Sequence, residues 1–369
     1  MHKLRREWIF LLLSTLVFLA GFFSVLYWKW EAPHAWRWLA LAAGFSAWQL
    51  AFLWRNLHLN RREGETSMLP SLGWANRVSF ARGIFIAALF GFLFSPWAAG
   101  WLAWLPFTFY LLAALSDFLD GYLARVTNHV TPLGTALDME NDSWGVLIVT
   151  VLAFWYGQVP LWYLPVGLAR YIFVFGLWLR EKQGKESHEL PPSFRRRAFA
   201  GVQMGFIVAM LAPLYFPPAT HFAATLFSIP FLIGFLYDWF LAAGQIDPQK
   251  GAVFFERFST PFFKFILLAL RIITIVLLTA FLVQQKLLLI WLLVFIPLAV
   301  LLTLGILGRL AAILILIFLG LLIADQPLTG LYPALFVLTT ILFFAGTGAR
   351  SLWSPEDWLI YNRAGERDE

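Results

Sequence analysis

Apolar stretches of membrane length follow one another along almost the whole chain, separated by short polar breaks. A hydrocarbon layer about 30 Å thick is crossed by roughly 20 such residues in a helix, whose backbone groups are all paired within the segment. Runs of this kind lie near 8–28, 35–54, 78–96, 100–124, 143–158, 160–180, 198–216, 222–243, 262–283, 287–304, 308–324 and 331–349. They predict an all-α polytopic membrane protein of about twelve transmembrane helices. The composition agrees: 60% of the residues are hydrophobic and 13% charged, outside the soluble range. The 19 Trp and 38 Phe suit interfacial belts and lipid-facing surfaces.

Basic residues orient the helices. With the amino terminus taken as cytoplasmic, inner segments carry Lys3, Arg5, Arg6, Arg55, Arg61, Arg62, Arg125, Arg180, Lys182, Lys185, Arg195, Arg196, Arg197, Lys250 and Arg257, and outer ones little beyond Lys29, Arg37 and Lys286. This asymmetry predicts a multi-pass protein of the cell membrane with both termini inside. The basic leader before residue 8 resembles a signal peptide. The run that follows is too long, lacks a small-residue cleavage site and continues into Tyr27-Trp28-Lys29-Trp30, so it reads as a retained helix. No cysteine is present, which excludes disulfides and thiolate metal sites. The net charge of +6 is scattered between spans, which suits anionic lipid headgroups and argues against a nucleic-acid partner.

Polar breaks predict three blocks: an amino-terminal hairpin at 1–60, a block at 66–245 holding every motif, and a carboxy-terminal block at 246–369 of about four further helices. Segment 66–75 is expected to lie flat at the interface before the third span enters.

Five of the chain's 21 acidic residues fall within residues 117–142, and four of them are the aspartates Asp117, Asp120, Asp138 and Asp142. A carboxylate at membrane depth costs at least a few kcal/mol and usually serves a cation or a transport path. On helices, Asp117 and Asp120 share a face, as do Asp138 and Asp142 one turn apart. Gly121 and Ala124 remove bulk, so that a ligand can approach the backbone. The cluster reads as a metal site that handles a phosphate ester, set against four acids that merely solvate a loop.

The string Asp-x2-Asp-Gly-x2-Ala-Arg-x8-Gly-x3-Asp-x3-Asp, formed by Asp117, Asp120, Gly121, Ala124, Arg125, Gly134, Asp138 and Asp142, resembles the signature of the CDP-alcohol phosphotransferases. These are integral membrane enzymes of phospholipid synthesis. The resemblance implies a six-helix catalytic bundle over 66–245. It implies two divalent cations, Mg2+ or Mn2+, held by Asp117, Asp120 and Asp138, with Asp142 both a ligand and the base that deprotonates the acceptor hydroxyl. Gly121, Ala124, Arg125 and Gly134 would then serve the nucleotide donor. Asn76, Ser79 and Arg82 repeat every three residues and are similar to the family's Asn-x2-Thr-x2-Arg, with Ser79 in place of Thr; they too are assigned to the donor.

Arg170 lies midway along a span, where a bare charge needs a phosphate or acidic partner. Glycerol-phosphate users in the family often have Arg-Glu here, and this chain has Arg170-Tyr171. Arg196 and Arg197 precede Gln203, where many members have Gly-Lys; Arg197 best matches that Lys, and the Gly is missing. Arg170, Arg196 and Arg197 are expected to bind the phosphate of an acceptor. The implied reaction moves a phosphatidyl group from CDP-diacylglycerol to a small, phosphorylated alcohol at the cytoplasmic membrane surface and releases CMP. Two rivals stand beside it: a choline- or ethanolamine-type transferase using a CDP-alcohol and diacylglycerol, and a divalent-cation transporter or channel. The carboxy-terminal block is left with dimerisation (a homodimer), lipid delivery or partner docking. His129 reads as a solvated loop residue, Asp238 as a local cap or ion pair, and Arg271 as snorkelling, paired with Asp238 or bound to a lipid phosphate.

Overall fold

The computed structural model describes residues 2–62, 64–190, 193–246, 261–284, 289–323 and 330–356. Lys250, Arg257 and Lys286, used above to orient the chain, lie outside them. The described residues are helical, with two isolated β-bridges and no strand. The α-helices are α1 (His2–Lys29), α2 (Ala32–Asn56), α3 (Gly73–Gly91), α4 (Leu105–Val126), α5 (Pro132–Trp155), α6 (Leu164–Lys182), α7 (Phe194–Met210), α8 (Ala219–Ala242), α9 (Pro261–Gln284), α10 (Leu289–Leu304), α11 (Gly308–Leu322) and α12 (Tyr332–Ala345). Among the described residues, five stretches are long and apolar enough to cross a membrane: His2–Lys29, Gly100–Val126, Leu161–Lys182, Ala219–Ala242 and Phe263–Gln284. Helices α10, α11 and α12 are apolar but shorter.

Several helix starts differ from the sequence expectation, two of them at the polar motifs. α3 begins at Gly73 and α5 at Pro132, ahead of the apolar windows drawn from 78 and 143. Both opening segments carry polar side chains that the surrounding helices satisfy, and hydropathy alone excludes such residues. The segment before α3 is pinned rather than free: Leu69 N–H donates to the Asn60 carbonyl at 2.8 Å, and Leu72 N–H to Glu7 at 3.1 Å.

The chain divides into two compact units. The first comprises the described residues of Met1–Arg170 and Met204–Pro213. Here α1 and α2 form a hairpin, α2 packs on α3, and α3 packs on both α4 and α5. Leu4, Leu50, Leu53, Leu57, Leu72, Phe80, Ile84, Leu133 and Leu137 make a buried apolar cluster between these helices. Trp38 of α2 donates to the Ala88 carbonyl at 3.0 Å and lies so close to Gly91 that a Cβ there would stand 2.6 Å from the indole. The opposite face of α1 leaves Phe10, Val17 and Trp28 exposed, as a lipid-facing surface requires.

The second unit comprises the described residues of Tyr171–Gln203 and Leu214–Glu369. In it α12 packs on α8, α9 and α11. Arg309 donates to the carbonyls of Phe343 and Phe344 at 3.0 and 2.7 Å, satisfying acceptors left over at the end of α12. Arg271 of α9 is buried and bonds Ser351 Oγ at 3.2 Å and the Arg350 carbonyl at 3.5 Å.

Candidate metal centre

Three helices of the first unit build the acidic cluster. A short loop turns the chain from α4 into α5, and Thr131 caps α5 by accepting the Gly134 N–H at 3.1 Å, with Pro132 in the first turn. Asp138 and Asp142 then follow one turn apart on the side that meets α3, and α4 brings Asp117 and Asp120 to the same place. One carboxylate oxygen from each of Asp117, Asp120 and Asp138 lies within 4.8 Å of the other two.

Arg82 of α3 ties all four acids together. Its guanidinium stands 2.8 Å from Asp138, 3.4 Å from Asp142 and 3.9 Å from Asp120, and it is in direct contact with Asp117. The arginine side chain is 3% exposed, whereas those of Asp138 and Asp142 are 46% exposed. The acids therefore line an opening with the fixed cation at its back. Two unit charges 4 Å apart interact by about 4 kcal/mol at an effective dielectric of 20, so one guanidinium cannot neutralise four converging carboxylates. Hard oxygen donors at this density fit Mg2+ or Mn2+, which take carboxylates together with substrate oxygens.

Residues 72–237 match the family model described as CDP-alcohol phosphatidyltransferase. That segment is a CDP-alcohol phosphatidyltransferase domain. The chain is 35% identical over 120 residues to the CDP-diacylglycerol–glycerol-3-phosphate 3-phosphatidyltransferase of Cereibacter sphaeroides, covering 32% of this chain and 52% of that protein. It is 33% identical over 123 residues to the CDP-diacylglycerol–inositol 3-phosphatidyltransferase of Rattus norvegicus, covering 31% and 52%. A 59-residue stretch is 42% identical to the CMP-forming cardiolipin synthase of Streptomyces coelicolor, covering 16% and 27%. The chain thus spans about half the length of the first two relatives. No solved structure matches it.

Within the phosphatidyltransferase domain, Asn76, Ser79 and Arg82 lie buried along α3. Ser79 Oγ donates to Asp120 at 2.7 Å. The Asn76 amide donates to Asn60 Oδ1 and to Thr131 Oγ1, both at 3.2 Å. Gly134 meets Asn76 directly: a Cβ there would be 2.7 Å from Asn76 Oδ1, so only hydrogen fits without displacing that amide. A Cβ on Gly121 would meet only the Arg125 guanidinium, at 3.4 Å or more, which leaves space beside it. Ala124 is half-buried and Arg125 exposed on the last turn of α4. Arg170 is exposed and donates to the Met139 carbonyl at 2.8 Å.

Arg196 and Arg197 belong to the second unit. There Arg196 lies 3.5 Å from Asp238, the local ion pair expected of that acid, and Arg197 is exposed on α7. Arg271 bonds the 350–351 segment. His129 is half-buried rather than solvated. Its imidazole fills the space over Gly73, whose φ of +75° and close approach to the ring (2.7 Å from a Cβ) both call for glycine. Burial pushes the His129 pKa below the usual imidazole value.

Several residues that support the site were not anticipated from sequence. Glu7 of α1 pairs with Arg77 at 3.2 Å and accepts the Leu72 N–H, and Asn60 and Gln49 join the polar contacts behind α3. For Gln49 the signal was there to read: an amide set among apolar neighbours in a span needs a partner.

Proposed function

We propose that this chain is an integral membrane phosphatidyltransferase that moves a phosphatidyl group from CDP-diacylglycerol to a small, phosphorylated alcohol and releases CMP. The observation that carries this reading is the convergence of Asp117, Asp120, Asp138 and Asp142 on one point, with Arg82 behind it. Both relatives matched over about half their length take CDP-diacylglycerol by name and differ in acceptor, one glycerol 3-phosphate and the other inositol. Arg170, bonded to the Met139 carbonyl between Asp138 and Asp142, favours an acceptor bearing its own phosphate.

Asp117, Asp120 and Asp138 would hold two divalent cations, Mg2+ or Mn2+, with Asp142 a shared ligand. When bound, these ions neutralise the diphosphate and make its phosphorus electrophilic. Asp142 accepts the proton of the acceptor hydroxyl, whose oxygen bonds to the phosphatidyl phosphorus as the bond to CMP breaks. Ser79 holds Asp120 in place, and Arg82, fixed behind the acids, offers its charge to the phosphates of the donor. Asn76, Gly121, Ala124, Arg125 and Gly134 surround the nucleotide, and Arg170 receives the acceptor. The catalytic block is 66–245, built as a six-helix bundle among about twelve spans, with the acidic opening at the cytoplasmic face.

The test is product analysis. Purified protein given CDP-diacylglycerol and a panel of glycerol 3-phosphate, inositol, inositol phosphate and serine should release CMP only with Mg2+ or Mn2+, and mass spectrometry should find a phosphorylated lipid product. Turnover confined to CDP-choline or CDP-ethanolamine with diacylglycerol would reverse donor and acceptor. Cation flux without CMP release would replace the enzyme with a channel.

A further inference from the structure

A line of buried polar contacts begins on the amino-terminal hairpin, before the start of the matched domain, and ends on a carboxylate of the cluster. Gln49 of α2 is 6% exposed. Its Nε2 donates to Asn141 Oδ1 at 3.3 Å, Asn141 Nδ2 donates to the Ser79 carbonyl at 2.7 Å, and Ser79 Oγ donates to Asp120 at 2.7 Å. The fit is tight: a Cβ on Gly83 would stand 2.8 Å from Gln49 Cδ, so α2 meets α3 through this amide. Gln49 and Asn141 also line a cavity of about 10 Å3, near the lower limit for one water.

Asn141 lies between Asp138 and Asp142 on α5, and its amide grips α3 at the residue that holds Asp120. A leucine at position 49 would fill much of the same volume without burying an amide. What glutamine adds is direction. With Oδ1 engaged by Gln49, Asn141 presents Nδ2 to Ser79, and this bond fixes the rotation of α5 and hence the aim of its two acids.

We propose that Gln49 is a positioning residue for the metal centre, acting through Asn141 and Ser79 on Asp120 and on the Asp138–Asp142 face. The hairpin is then a working part of the site. This inference rests on the metal-site reading above, so the test measures ion binding directly. Mn2+ binding to the full-length protein in detergent is followed by the electron paramagnetic resonance of free Mn2+. Gln49→Met should weaken binding about tenfold, the lower end for outer-sphere partners of metal ligands, while the packing control Leu53→Val stays within about twofold of wild type. Should Gln49→Met not fold, Gly83→Ala decides by the same criterion, because its methyl displaces the Gln49 amide and leaves Asn141 intact. Binding by the folded variant within about twofold of wild type overturns the role of Gln49, whatever happens to thermal stability. If Asp138→Asn binds Mn2+ as tightly as wild type, the metal-site reading itself falls, and this proposal with it.

Discussion

Asp138 and Asp142 sit one turn apart on α5, yet their amides should fail in different ways. Asp142→Asn removes the proton acceptor and should lower kcat about 10²- to 10⁴-fold, the range for a general base. Donor binding should survive, as read by the thermal shift that CDP produces. Equal loss of donor binding would make Asp142 chiefly a ligand. Asp138→Asn should instead abolish metal-dependent CMP release with the melting curve preserved. Arg170→Ala should raise KM for a phosphorylated acceptor more than for a neutral one, and a uniform change would remove Arg170 from the acceptor pocket. At this scale the carboxylates were legible in sequence because fixed spacing on two helices puts them on shared faces. Their supports were not. Gln49 and Asn60 sit far from the signature in sequence, and only the packing of α2 against α3 reveals what they touch.

Among the elements, α5 depends most on a few local choices. Its start is set by Thr131, and Thr131→Ala should cost about 1 kcal/mol in unfolding free energy, as lost N-caps do, plus whatever the Asn76 amide loses. A chemical or thermal melt in detergent would record this. Hydropathy placed the middle of most helices but not the starts of α3 and α5. The reason is physical: Asn76 and Arg77 on α3, and Asp138 and Asn141 on α5, are polar groups whose partners lie on neighbouring segments, so a scale that treats each residue alone counts them as loop. The helical class needed only the apolar runs, whereas the functional elements needed tertiary contacts.

For the molecule as a whole, the carboxy-terminal helices are the part least explained by sequence. In the second unit Phe227 of α8 contacts Phe343 and Phe344 of α12 at ring-centroid distances of 6.0 and 5.6 Å. A chain truncated after residue 246 loses that partner surface and should melt at lower temperature, with exposed apolar area promoting association on size exclusion. Unchanged stability, assembly and CMP release would make α9–α12 dispensable. Arg82 has a consequence of another kind. A protein that brings its own positive group to the place where its acids meet need not wait for an ion in order to mature in the bilayer. Chelator should silence it without dismantling it, whereas Arg82→Met should leave a chain that survives purification only when Mg2+ or Mn2+ is supplied throughout.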